Sequence, residues 1–294
     1  MSKTLSDIRV KIDAIDNQVH DLLMERASLV SSVAAAKKRE GLQIVQPARE
    51  ARMMRRLLSR HNGPLPRNTI VRIWRELVGS VALLQTGFSV IVASGEADMG
   101  LWDMAKNYFG SSVPMKKLQG TQNVLQDVRD TKDSFGVMPW PDFTLDAPWW
   151  GHLLTQNADD RLSIICALPH GMYKQDETDA FERGLIVSDI RFMPSDEDVT
   201  FIGIETDSEF SRDRLADCLE KTGLNLLNIY RGQRLQEGNK TLHLVEVRGY
   251  YDDSSSEVLE IETLLGDQYV YCCVVGGYPV IPDIRATENS SQGD

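Results

Sequence analysis

Residues 5–39 read LSDIRVKIDAIDNQVHDLLMERASLVSSVAAAKKR, and their periodicity decides the fold of the N-terminal region. Ile8, Ile12, Ile15, Val19, Leu22, Arg26, Leu29, Val33 and Ala36 alternate in steps of four and three. That is the seam of one long helix packed against other helices. Arg26 interrupts this apolar stripe with a charge. A guanidinium keeps its proton and is costly to desolvate unless something anionic meets it. Lys37 lies eleven residues on, about 20° round the helix and roughly 16 Å along its axis. Two cations on one seam can hold a small anion between them. A buried ion pair with a carboxylate of a neighbouring helix accounts equally well for either one alone.

Working outward, the first helix is expected from Leu5 to Lys38 or Arg39, with a second copy of itself as partner. Residues 40–47 connect it to a second helix, Ala48 to Arg60. That helix stops at His61-Asn62-Gly63-Pro64-Leu65-Pro66. A third runs from about Asn68 to Gln85, with an apolar face of Ile70, Ile73, Trp74, Leu77, Val81 and Leu84. Residues 1–88 hold fifteen Lys and Arg against eight Asp and Glu, a balance of +7 within a chain of 294 residues and net charge −11. A basic region in an acidic protein points to an anionic ligand. Nucleic acid fits poorly, because the basic residues are spread over several helices without aromatic interleaving. No apolar run reaches membrane-spanning length and no signal-type segment is read, so a cytoplasmic protein is expected. The four cysteines (Cys166, Cys218, Cys272, Cys273) lack metal-type spacing and read as reduced core residues.

Beyond residue 88 the pattern changes to α/β. Phe88–Ala93, Phe135–Met138 and Leu162–Ala167 read as buried strands, with a helix around Trp102–Tyr108. From Val199 a βαββαβ order emerges. Thr200–Glu205, Leu226–Gln233, Thr241–Gly249 and Tyr269–Val275 are its strands, and Ser211–Lys221 and Ser255–Leu265 its helices.

Further polar residues share the apolar faces of the helices. Glu50 lies with Met53, Met54 and Leu57, and Gln85 with Leu77, Val81 and Leu84. Together they describe a small, mostly cationic cavity inside a bundle. Arg9, Asp16, Arg26, Lys37, Gln46-Pro47-Ala48-Arg49-Glu50, Asn62-Gly63-Pro64-Leu65-Pro66, Trp74-Arg75-Glu76 and Gln85 carry a resemblance. Residues 5–87 resemble the all-helical chorismate mutases, in particular the N-terminal domain of bacterial mutase–prephenate dehydratase proteins.

The resemblance implies a three-helix, intertwined dimeric fold and the Claisen rearrangement of chorismate to prephenate in the shikimate pathway to phenylalanine and tyrosine. No metal or other cofactor is implied. Residues matching Arg26 and Arg49 bind the carboxylates of the dianion, and the residue matching Arg9 reaches into the partner's site. Those matching Lys37 and Gln85 donate to the ether oxygen as its bond breaks. The one matching Glu50 accepts from the ring hydroxyl. Gln46 stands where some members carry an acid, and Val81 where some carry a small polar residue. An amide at Gln85 donates at any pH, so this group is expected to cause little activity loss between about pH 6 and 8.

The segment 88–198 resembles prephenate dehydratase in degenerate form, as a truncated periplasmic-binding-protein-like α/β region. Phe135-Gly136-Val137-Met138-Pro139 is similar to a family strand end. The polar triplet that should follow is replaced by Trp140-Pro141-Asp142, and the Thr-Arg-Phe motif has no match; Val199-Thr200-Phe201 is the nearest sequence, one position out of register and without the Arg. Residues 199–281 resemble an ACT domain of ferredoxin-like form through Leu215–Leu219, Gly223–Leu226 and Gly276-Gly277-Tyr278-Pro279. The family's Glu-Ser-Arg-Pro is replaced by Tyr230-Arg231-Gly232-Gln233. An aromatic amino acid effector and a fold kept for dimerisation alone both stay open. The expected division is 1–87 mutase, 88–198 dehydratase-like, 199–281 ACT-like and 282–294 a disordered tail. The chain reads as a homodimeric chorismate mutase joined through its first helix. A bifunctional mutase–dehydratase, a non-catalytic ACT-regulated binding protein and an isochorismate lyase are the alternatives.

Overall fold

The computed structural model describes residues 4–40, 43, 45–94, 100–141, 144–145, 148–155, 161–170, 183–207, 211–233 and 240–282. Four helices come first: α1 (Leu5–Ser28), α2 (Val30–Arg39), α3 (Pro47–Ser59) and α4 (Arg67–Thr86). A capping box starts α1: the Thr4 hydroxyl accepts from the Asp7 N–H and the Asp7 carboxylate accepts from the Thr4 N–H. Pro47 occupies the first position of α3, where its missing N–H has no helical partner to lose.

The expected single first helix is thus two, so the region has four helices rather than three. The Ser28 hydroxyl donates to the Glu25 carbonyl at 2.7 Å, and the helix tightens for one residue at Leu29. Local side-chain-to-backbone bonding of this kind competes with the helical ladder. The two halves also differ in surroundings. No residue of α1 is buried, and its stripe of Ile8, Ile12, Ile15, Val19 and Leu22 lies open, whereas α2 packs on α4.

The buried face of α4 differs from the expected one as well. It runs Val71, Arg75, Gly79 and Ala82, while Ile73 and Leu84 are exposed. The reason is a close crossing. α4 lies on α5 (Leu101–Phe109), and a Cβ at Gly79 would stand 1.7 Å from the Phe109 carbonyl oxygen. Only a residue without a side chain permits that approach.

The α/β region continues through β1 (Ser89–Ser94), β2 (Met115–Gln119), α6 (Thr121–Asp130), β3 (Ser134–Pro139), β4 (Thr144–Leu145), β5 (Ser163–Leu168) and β6 (Gly184–Ser188). β1 pairs in parallel with β2 and β3, with α5 and α6 as crossovers. The C-terminal part is β7 (Asp198–Thr206), α7 (Arg212–Lys221), β8 (Asn225–Gln233), β9 (Thr241–Arg248), α8 (Ser256–Leu265) and β10 (Tyr269–Pro279). Among the described residues, these ten strands form one sheet in the order β2-β1-β3-β6-β5-β10-β7-β9-β8-β4. The join is β5 on β10, in parallel at Ile164 opposite Gly276. There Gly276 has φ 109° and a Cβ would lie 2.1 Å from the Ile164 carbonyl oxygen.

The helical region is docked on this sheet. Ala51, Met54, Leu58 and Val71 close over Ile281, just past β10. Arg55 donates to the carbonyls of Val280 and Glu197 and to the carbonyl and hydroxyl of Ser195. Adjacent Cys272 and Cys273 pack into different cores on the two faces of β10, and all four cysteines are free thiols. The expected disordered tail lies outside the described residues, apart from exposed Pro282.

Candidate active site

A cavity of about 500 Å³ lies among α2, α3, α4 and the end of α1. Each of the four helices turns at least one polar residue toward it. Arg26 enters from the last turn of α1, Lys37 from α2, Gln46, Arg49 and Glu50 from the start of α3, and Val81 and Gln85 from the end of α4. Arg52 and Arg56 complete a lining of five cations and one anion. A lining of that charge suits a ligand carrying more than one negative group.

Seven of the eight residues singled out in the sequence therefore meet at one cavity, drawn from four helices. The eighth, Arg9, lies exposed near the start of α1 and does not line it. Burial lowers the pKa of the half-buried Lys37 ammonium. The neighbouring Arg49 charge lowers it further, and Glu50 partly restores it. The Gln85 carboxamide oxygen is sealed from solvent and has no hydrogen-bond partner among the described residues.

Arg75 was not among the residues expected at the site. It is fully buried, and its Nη1 donates to Glu50 Oε2 at 2.8 Å. The buried ion pair that one reading assigned to Arg26 is found here instead. Its sequence signal was of the same kind: a cation at four-residue spacing between Val71 and Gly79 on the packed face of α4. A carboxylate has two oxygens and about four acceptor positions, so Glu50 retains capacity for the cavity.

Residues 8–86 match the family model for chorismate mutase type II. The chorismate mutase of Methanocaldococcus jannaschii is 36% identical over 88 residues, which are 29% of this chain and 87% of that protein. The chain belongs to the chorismate mutase family. The bifunctional chorismate mutase/prephenate dehydratase of Stutzerimonas stutzeri is 30% identical over 140 residues, 46% of this chain. The chain spans 38% of the length of that relative. Among solved structures, a prephenate dehydratase from Streptococcus mutans superposes with a TM-score of 0.45 at 12% identity, covering 66% of this chain and 99% of that one.

Within the mutase region the cavity can do two things chemically. It can grip a dianion through planar guanidinium forks, which suit bidentate carboxylate binding. It can also aim an ammonium and an amide at a charge that develops during reaction. Outside this region, Thr200 of the Val199-Thr200-Phe201 sequence is buried, donating to the Gly249 carbonyl at 2.7 Å and accepting from the Tyr251 N–H at 3.1 Å. Trp140 is equally committed. It is buried, and its indole donates to the Tyr230 hydroxyl at 3.0 Å.

Proposed function

We propose that this chain is a chorismate mutase that rearranges chorismate to prephenate and works as a homodimer. The gathering of Arg26, Lys37, Arg49, Glu50 and Gln85 at one cavity carries the reading. Arg26 and Arg49 bind the two carboxylates and hold the enolpyruvyl arm over the ring, which supplies an entropic part of the rate. Lys37 and Gln85 donate to the ether oxygen as the C–O bond breaks and negative charge collects there. Glu50 accepts from the ring hydroxyl. Gln46 lines the site where other members place an acid, and Val81 adds apolar wall. Arg9 of the partner subunit closes the cavity. In support of that last role, the α1 stripe that precedes and follows Arg9 is uncovered in the single chain.

The rearrangement is tested by following chorismate loss with the wild type beside Lys37→Ala. The variant is expected to be slower by about 10²-fold or more, as for removal of a transition-state donor. Equal rates in the two proteins would remove Lys37 from the mechanism. Absence of turnover in a folded dimer would leave a binding site only.

We read residues 88–198 as a dehydratase-like region without dehydratase activity, since Trp140 is core and Thr200, just beyond the region in the sequence nearest the missing motif, has its hydroxyl bound into the sheet. Phenylpyruvate formed from prephenate would contradict this. The strands and helices of residues 199–281 we read as an ACT-like domain. At the position of the effector motif, Tyr230 donates to buried Glu246 at 2.9 Å, which favours a packing role there. Titration with phenylalanine and tyrosine while following mutase activity separates effector binding from dimerisation alone.

A further inference from the structure

Arg75 joins the mutase cavity to the α/β region. One arm of its guanidinium donates to Glu50, and the other, Nη2, lies 3.3 Å from His170 Nε2. His170 follows β5, and its Nδ1 lies 3.8 Å from the Cys166 thiol in that strand. The Tyr108 ring of α5 lies under the guanidinium at 4.4 Å and meets the His170 ring edge-on. Arg75 is 1% exposed and His170 8%, so water does not substitute for either contact. The Arg75 Nε has no partner among the described residues. The guanidinium's orientation therefore rests on Glu50, His170 and the Tyr108 face. Burial and the Arg75 charge push the His170 pKa well below its usual value, so the imidazole is neutral and its Nε2 accepts from Arg75.

We propose that His170 is a positioning residue of the mutase site, acting through Arg75 to fix the Glu50 carboxylate, so that the α/β region is a working part of that site. Glu50 Oε2 is held by Arg75, and the carboxylate's remaining acceptor positions serve the substrate hydroxyl. Without the His170 acceptor the guanidinium loses one of its few partners in a dry site and turns, and the carboxylate turns with it. The inference rests on the mutase reading and on the role of Glu50 within it.

The test is a double-mutant cycle in the full chain, with kcat and KM for chorismate measured for His170→Leu and His170→Gln, each with and without Glu50→Gln. Thermal unfolding is followed in parallel. His170→Leu is expected to lower kcat/KM by about 10-fold or more, the scale of a lost hydrogen bond to a charged group. His170→Gln keeps an acceptor near the place of Nε2 and should stay within about 3-fold of wild type on the same scale. In the Glu50→Gln background, His170→Leu should have no further effect on turnover, because nothing remains to be positioned. If His170→Leu does not fold, His170→Asn, whose shorter amide displaces the acceptor, takes its place in the cycle. Equal slowing in both backgrounds would overturn the proposal, as would wild-type kcat/KM in His170→Leu, or loss in His170→Gln equal to that in His170→Leu. An inactive wild type, or a fully active Glu50→Gln with His170 intact, would instead overturn the mutase reading or the role of Glu50, and the positioning role with it.

Discussion

In the proposed mechanism Lys37 is the residue on which the chemistry depends most directly, and its surroundings determine its pH behaviour. Burial and Arg49 lower its pKa below that of an ordinary lysine. A donor of this kind works only while protonated, so activity should fall as pH rises through the lowered value. The alkaline limb of kcat/KM should therefore lie below the usual lysine range of about 10.4. Lys37→Arg should move that limb upward at reduced rate, since a guanidinium keeps its proton. A limb that stays in place in Lys37→Arg would assign it to another group. Gln85 adds no titration of its own between about pH 6 and 8, because an amide does not ionise there. Arg26, Lys37 and Gln85 were legible in the sequence because each is a polar residue on a periodic apolar face. Arg75 obeys the same rule on a second face of α4, the one packed on α5, which was not read as buried. Small residues on the true contact side, Gly79 and Ala82, carry little hydrophobic signal.

Among the elements, α1 and α4 make opposite uses of their surfaces. α1 buries nothing in the single chain, and Ile15 is 49% exposed there. Ile15→Glu should therefore leave the fold of one chain intact while placing a charge in the proposed dimer seam. Sedimentation is expected to show monomers, and chorismate turnover should fall with the dimer because Arg9 then supplies no partner site. A variant that stays dimeric and active would place the dimer contact elsewhere. α4 instead depends on contact within the chain. Gly79→Ala puts a methyl group into the Phe109 carbonyl, and backbone must move. Overpacking of this kind costs about 1–3 kcal/mol, against less than about 1 kcal/mol gained in helix propensity. Urea unfolding should show a net loss, and a stabilised Gly79→Ala would mean that α4 does not dock so closely. The edge strand β2 (MKKLQ) and the short helix α6 were not read from the sequence. The first presents lysines where an open edge needs them, and such a strand lacks a hydrophobic run.

The whole molecule is one continuous sheet with a helical unit bolted to it, and its acid stability should reflect two histidines buried as neutral rings. His170 is held well below its usual pKa and His243 is lowered to about 4, in both cases chiefly by burial. The unfolded chain takes up a proton at each near pH 6.5, whereas the folded chain does not. Unfolding free energy should therefore fall as pH drops below about 6.5, by about 1.4 kcal/mol per pH unit for each histidine that stays neutral. Urea titrations at pH 7, 6 and 5 measure the slope, and His243→Asn should reduce it. An unchanged slope in that variant would show that His243 is protonated in the folded state.

By itself the sequence determined the helical mutase region, its cationic set and most strands of the α/β part, because hydrophobic periodicity and misplaced charge are local properties. It did not contain the break at Leu29, the face that α4 buries, the edge-to-edge joining of β5 to β10, or the reach of His170 to Arg75. The first is a local competition of the Ser28 hydroxyl for the Glu25 carbonyl, too weak a signal beside an unbroken apolar stripe; the other three depend on contacts between residues far apart in the chain: Gly79 with Phe109, Ile164 with Gly276, and Arg75 with both Glu50 and His170. A buried charge can be recognised as misplaced from one helix alone, but which partner satisfies it is decided only when two distant segments are brought within hydrogen-bonding distance.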